Sequence, residues 1–179
     1  FIVIDKLAEF FKIESFEFED NYLYAVSQYK EKQVVLLKPL TYMNASGLAV
    51  REFYDKYDIE AGNMLIVYDD VNLDFGVLRL RPSGTDGGQN GIKSVIYEMG
   101  TDEIPRLRIG IRHKEEFQKI ENDPDYSLAD YVLSEFGDNE LKYLDKVADS
   151  AGSAIVSFID DGIAEAMNKF NKDHLLPVQ

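Results

Sequence analysis

Between Val77 and Ile111 the spacing of apolar residues changes three times, and each change marks a boundary between elements. Val77-Leu78-Arg79-Leu80-Arg81 alternates with period two, as a strand with one buried face does. Pro82 to Gly91 is glycine-rich and has no period. A helix is expected from about Asn90 to Met99. Alternation then returns, with Leu107, Ile109 and Ile111 set between Arg106, Arg108 and Gly110. A strand, loop, helix and strand in this order point to an α/β arrangement.

The rest of the chain reads the same way. Residues 1–11 are expected to be helical, with Val3, Leu7, Phe10 and Phe11 inward. Strands are expected at 22–29, at 33–38 (Val34 to Leu37 buried) and at 65–68. Asn44 or Ser46 is expected to cap a helix running to about Tyr57, with Val50, Phe53, Tyr54 and Tyr57 inside. Gly62-Asn63 reads as a turn, 113–126 as a mobile polar loop, and Ser127 as the cap of a short helix through Tyr131. A long helix opens at Asp138, with Leu141, Leu144, Val147, Ala148, Ala151, Ile155 and Phe158 on its stripe. Asp160-Asp161-Gly162 is expected to break it before a last helix carrying Ile163, Ala166, Met167 and Phe170. Together these predict a single-domain α/β sandwich over residues 1–179, a twisted, mixed but mostly parallel sheet flanked by helices.

Composition narrows the function. A chain of 179 residues, 45% apolar and 29% charged, suits one sizeable core. It has no cysteine, which excludes disulfides, thiolate chemistry and a cysteine zinc site, and fits a reducing cytoplasm. No apolar run approaches the ~20 residues that span a bilayer. The opening Phe1-Ile2-Val3-Ile4 has no basic start and is not expected to be a signal peptide. The net charge of −14 opposes nonspecific binding to phosphate backbones. From Arg79 to Lys114, however, seven basic residues face four acidic ones. That is either a basic surface on an acidic body or a set of ordinary solvated charges.

Several residues could carry chemistry, each with a plainer alternative. The glycine loop before a helix can bring backbone amides to a phosphate, or can simply make a tight turn. It is not a Walker loop, because Ile92 separates Gly91 from Lys93. Asp69, after a buried strand, can orient a base, hold a metal or cap a turn. Asn44 offers an amide to an oxyanion or to a helix end. His113 and His174 are not spaced as metal ligands and read as surface histidines.

Taken as whole strings, the segments resemble those of bacterial-type peptidyl-tRNA hydrolases. They are Lys38-Pro-Leu-Thr-Tyr-Met-Asn-Ala-Ser-Gly47, then Asp69-Asp-Val-Asn-Leu-Asp-Phe-Gly76 with Leu78-Arg-Leu-Arg81. Next come Gly84-Thr-Asp-Gly-Gly-Gln-Asn-Gly-Ile-Lys-Ser94 and Arg106-Leu-Arg-Ile-Gly-Ile111. Ala129 to Phe136 and Gly162 to Asn171 extend the match. The resemblance implies a monomeric, cytoplasmic enzyme that hydrolyses the ester joining a peptide to tRNA, with no metal or other cofactor and no membrane. It implies Asp69 orienting the catalytic histidine, and Asn44 binding substrate near the ester and positioning water. Asn90, Gln89, Tyr42 and Gly87 are placed at the substrate. Arg79, Arg81, Lys93 and Arg108 are candidates for tRNA phosphates.

The chain departs from the pattern twice. Gln89 stands where the family has histidine, so altered substrate handling is expected. The family's first strand and catalytic histidine would precede Phe1, so residues 1–179 alone are expected to be weak or inactive. A catalytically silent RNA-binding relative is the alternative, and an unrelated nucleotide-binding enzyme a distant third.

Overall fold

The computed structural model describes residues 1–113, 117, 118, 120 and 126–171, with only the backbone at Asn139. The loop expected at 113–126 falls largely outside these residues, as does His174. The chain divides into two compact units, residues 1–65 with 82–105, and 66–81 with 106–179.

In the first unit α1 (Ile2–Phe10) precedes an antiparallel sheet of β1 (Glu17–Glu19), β2 (Tyr22–Tyr29) and β3 (Lys32–Pro39). A two-residue turn joins β2 to β3, and so short a link permits only antiparallel pairing. Lys38 of β3 is hydrogen-bonded to Asp5 of α1. A 3-10 turn, Met43–Ala45, leads into α2 (Ser46–Tyr57). The core joins Tyr22 and Tyr24 of β2 to Ala49 and Phe53 of α2. Edge-to-face contact of Tyr22 with Phe53, centroids 5.6 Å apart, is a preferred aromatic geometry. The unit ends in α3 (Asn90–Met99), which packs on α2.

In the second unit β4 (Ile66–Asp74), β6 (Arg106–Arg112) and β5 (Leu78–Arg81) lie in that order. β4 and β6 are parallel, whereas β5 and β6 are antiparallel. The short link Phe75–Val77 reverses the chain between β4 and β5, and β6 occupies the place between them. After β6 come α4 (Leu128–Leu133) and α5 (Asp138–Phe170), the latter packing against β5. The buried positions of α5 include Val147, Ala148, Ala151, Ala154 and Ile155, and the three alanines suit close packing.

The fold is mixed α/β, as expected, but it is not mostly parallel. Three of the four strand pairings among the described residues are antiparallel. Interleaved helices suggested parallel crossovers, yet the short links β2–β3 and β4–β5 dictate reversals. Neither Asn44 nor Ser46 caps α2, whose N-cap position is Ala45. The strand expected at 65–68 continues to Asp74, its polar half carrying Asp70 and Asp74, which accept from Arg108 and Arg112 of β6. Phe10, Leu141 and Tyr57, expected inside, are 54%, 53% and 41% exposed. The Ser127 cap is present as a full capping box with Asp130. The expected break also holds, since Gly162 interrupts α5 with φ 83°.

Candidate active site

The first unit carries six of the expected site residues on two interlocked segments. The Gly47 N–H donates to Ser94 Oγ at 3.0 Å. A Cβ on Gly47 would lie 2.2 Å from the Ser94 carbonyl oxygen, so only glycine lets α2 approach α3 this closely. At Gly91 a Cβ would lie 2.7 Å from the Met43 sulfur, which puts the 3-10 turn on the start of α3. On this frame Tyr42 is 88% exposed, and the side chains of Asn44 and Asn90 are exposed without hydrogen-bond partners among the described residues. Lys93, one turn into α3, is exposed as well.

The loop before α3 is held by Asp86, whose Oδ1 accepts the Gly88 N–H at 2.8 Å and whose carbonyl accepts the Gln89 N–H at 3.0 Å. Gly87 and Gly88 take φ 59° and 84° there. Gln89 occupies the N-cap position of α3 without capping it by its side chain, and is half-buried. The arrangement therefore presents open amides and a cation on rigid backbone. Open amides of this kind suit a carbonyl, a water or a developing oxyanion.

The other four residues lie in the second unit. Asp69 is within β4, opposite Ile109 of β6, rather than beyond the strand end as the sequence suggested. Burial pushes its carboxyl up from the ordinary carboxylate range. Strand alternation turns Asp69 to one face of the sheet and Asp70 to the other. Arg108 and Arg106 of β6 pair in register with Arg79 and Arg81 of β5, so the four arginines share a face. They are not equivalent. Arg79 Nη1 donates to the Asn171 carbonyl at 3.1 Å, Arg106 is buried, and Arg108 Nε donates to Asp70 Oδ2 at 2.6 Å. Arg81 is exposed.

His113, read from sequence as a surface residue, is half-buried. Its ring lies 5.0 Å from that of Phe75, and its Nε2 is 3.6 Å from Glu140 Oε1 on α5. Among the described residues, no cluster of three or more histidine, aspartate or glutamate side chains could hold a metal. No helix among them is long and apolar enough to cross a membrane.

Sequence reasoning missed Asp70 and Asn171. The Asn171 amide closes β5, with Oδ1 accepting the Leu80 N–H at 2.7 Å and Nδ2 donating to the Leu80 carbonyl at 3.1 Å. The only signals were the doublet Asp69-Asp70 and the end of the last matched string.

Comparison with known proteins agrees along almost the whole chain. The profile of the family described as peptidyl-tRNA hydrolase matches residues 1–177. A peptidyl-tRNA hydrolase of Caldicellulosiruptor bescii is 41% identical over 175 residues, 97% of this chain and 86% of that protein. One of Chlorobium limicola is 40% identical over 172 residues, covering 96% and 87%. The crystal structure of peptidyl-tRNA hydrolase from Acinetobacter baumannii superposes with a TM-score of 0.81 at 28% identity, covering 97% of this chain and 85% of that one. The chain belongs to the peptidyl-tRNA hydrolase family.

Proposed function

We propose that the protein hydrolyses the ester between a peptide and the 3′ ribose of tRNA, returning free tRNA to translation. The observation that carries this is the family match over residues 1–177, with the exposed amides of Asn44 and Asn90 inside its matched strings. Ester hydrolysis needs a deprotonated water and a stabilised oxyanion. Asn44 would bind the substrate at the ester and position the water. Asn90, with Gln89, Tyr42 and Gly87 around it, would hold the peptide end. Asp69 would orient and polarise the histidine serving as general base, as an aspartate does in a triad. Arg81, Lys93 and Arg108 would contact tRNA phosphates, while Arg79 would support them from its bond to Asn171.

The chain would act as one functional domain, monomeric and cytoplasmic, working without metal or cofactor. A silent RNA-binding relative is not favoured, because the matched relatives carry the hydrolase name. The test is release of N-acyl amino acid from N-acyl-aminoacyl-tRNA by the protein expressed from its complete reading frame. Steady release supports the reading, and tRNA binding without cleavage would replace it with the silent alternative.

A further inference from the structure

Two carboxylate–arginine pairs link β4 to β6, and they are built differently. In the outer pair, Arg112 Nε and Nη2 both reach Asp74 Oδ1, at 3.0 and 2.7 Å. Both side chains there are at least a third exposed. In the inner pair the carboxylate is buried, since Asp70 is 2% exposed. Its Oδ1 accepts the Asn72 N–H at 2.8 Å, and its Oδ2 accepts Arg108 Nε at 2.6 Å. Both oxygens are held, so the carboxylate cannot turn. Arg108 keeps 27% of its side chain exposed.

A guanidinium has five N–H donors in a rigid plane. Asp70 takes the one at Nε. The four on Nη1 and Nη2 have no partner among the described residues. A buried carboxylate that fixes Nε sets the direction of this fork while leaving its far edge open. A fork of that kind matches two oxygens of one phosphate. Arg112 differs, because its single carboxylate oxygen draws on both Nε and an Nη.

We propose that Asp70 is a positioning residue for the substrate, holding the Arg108 guanidinium so that its Nη edge meets a tRNA phosphate. The inference rests on the reading of Arg108 as a phosphate contact. Asp70 lowers the net charge of the pair, so its contribution is direction: the arginine arrives with its rotamer already fixed.

The test uses the protein from its complete reading frame on N-acyl-aminoacyl-tRNA and on 3′-(N-acyl-aminoacyl)adenosine, which has no phosphate. Arg108→Gln is expected to raise KM for the tRNA substrate roughly tenfold, the size of one charge-assisted hydrogen bond, with kcat kept. Asp70→Asn keeps the size of the side chain, and is expected to raise the same KM roughly three- to tenfold. The double variant should match Arg108→Gln alone, because the two residues act as one. Neither change should affect the adenosine substrate. If Arg108→Gln leaves KM unchanged, the phosphate reading itself fails. If Arg108→Gln raises KM while Asp70→Asn leaves it unchanged or lowers it, the positioning role alone is overturned. Additive effects in the double variant overturn it too. Thermal unfolding checks each variant. Should Asp70→Asn not fold, Asp70→Glu carries the same test, since it keeps the charge and displaces it by one methylene.

Discussion

Asn44 and Asn171 carry the same amide, and the two units use it in opposite ways. Asn171 bonds both polar groups of Leu80 on the edge of β5 away from β6, where strand groups would otherwise stand unpaired. Asn44 sits exposed on a 3-10 turn with no partner among the described residues. The contrast extends to their neighbours. In the second unit Asp70, Asp74, Arg79, Arg108 and Arg112 are bonded to one another or to backbone. In the first unit Tyr42, Asn90 and Lys93 face solvent around the interlocked glycines. Matched strings thus differ in kind: one set is bonded within the fold and one set is left open to solvent.

The largest effect expected from breaking the support side is at Gly110. A Cβ there would lie 2.0 Å from the Asp74 carbonyl oxygen and 2.8 Å from that of Leu73, both backbone atoms of the irregular part of β4. Gly110→Ala is expected to cost more than about 3 kcal/mol or to prevent folding, read by denaturant unfolding. A variant as stable as the parent would show that β4 can shift away from β6.

Asp69 sharpens the comparison from the other side. Burial raises its folded pKa, so ionising it is harder in the folded chain than in the unfolded one. That penalty is fully present above the folded pKa and fades as pH falls towards the unfolded value of about 3.9. Asp69→Asn should therefore keep or raise stability at neutral pH, with the gain shrinking on acidification. Hydrolysis should fall about 10²- to 10⁴-fold. Unfolding curves from pH 4 to 7 beside kcat/KM check both halves, and a variant that loses stability at pH 7 contradicts the assignment.

Asn171→Ala would leave the buried Leu80 N–H and carbonyl without their partner, at about 1–3 kcal/mol. The measured quantity is again the unfolding free energy. Ser127→Ala, which removes the α4 cap, is expected to cost about 1 kcal/mol. The Asp130 carboxyl is held below its ordinary range by its hydrogen bonds from Ser127. Its contribution is therefore present above the unfolded pKa and lost as pH falls through the folded value.

Much of the fold was legible in the sequence because its elements have one clear period each. The strand over 22–29 and the helix over 90–99 were read at their observed bounds. β1 escaped because Glu17-Phe18-Glu19 is too short to show a period, and Phe18 is exposed. The polar half of β4 escaped because Asp69 to Asp74 reads as a loop until its partners on β6 are known. The candidate site was legible as strings of residues, but not the difference between open and bonded side chains. Arg79 and Arg108 look as free as Arg81 in the sequence. Only register and burial distinguish them.

The most direct test of the account is hydrolysis of N-acyl-aminoacyl-tRNA by the protein from its complete reading frame, measured for the parent and for Asn44→Ala beside their unfolding curves. The prediction is steady release by the parent and roughly 10²-fold less by the variant, with stability unchanged to within about 0.5 kcal/mol. An unchanged rate in Asn44→Ala, or a loss of rate that tracks a loss of stability, would contradict the claim that this open amide serves the reaction rather than the fold.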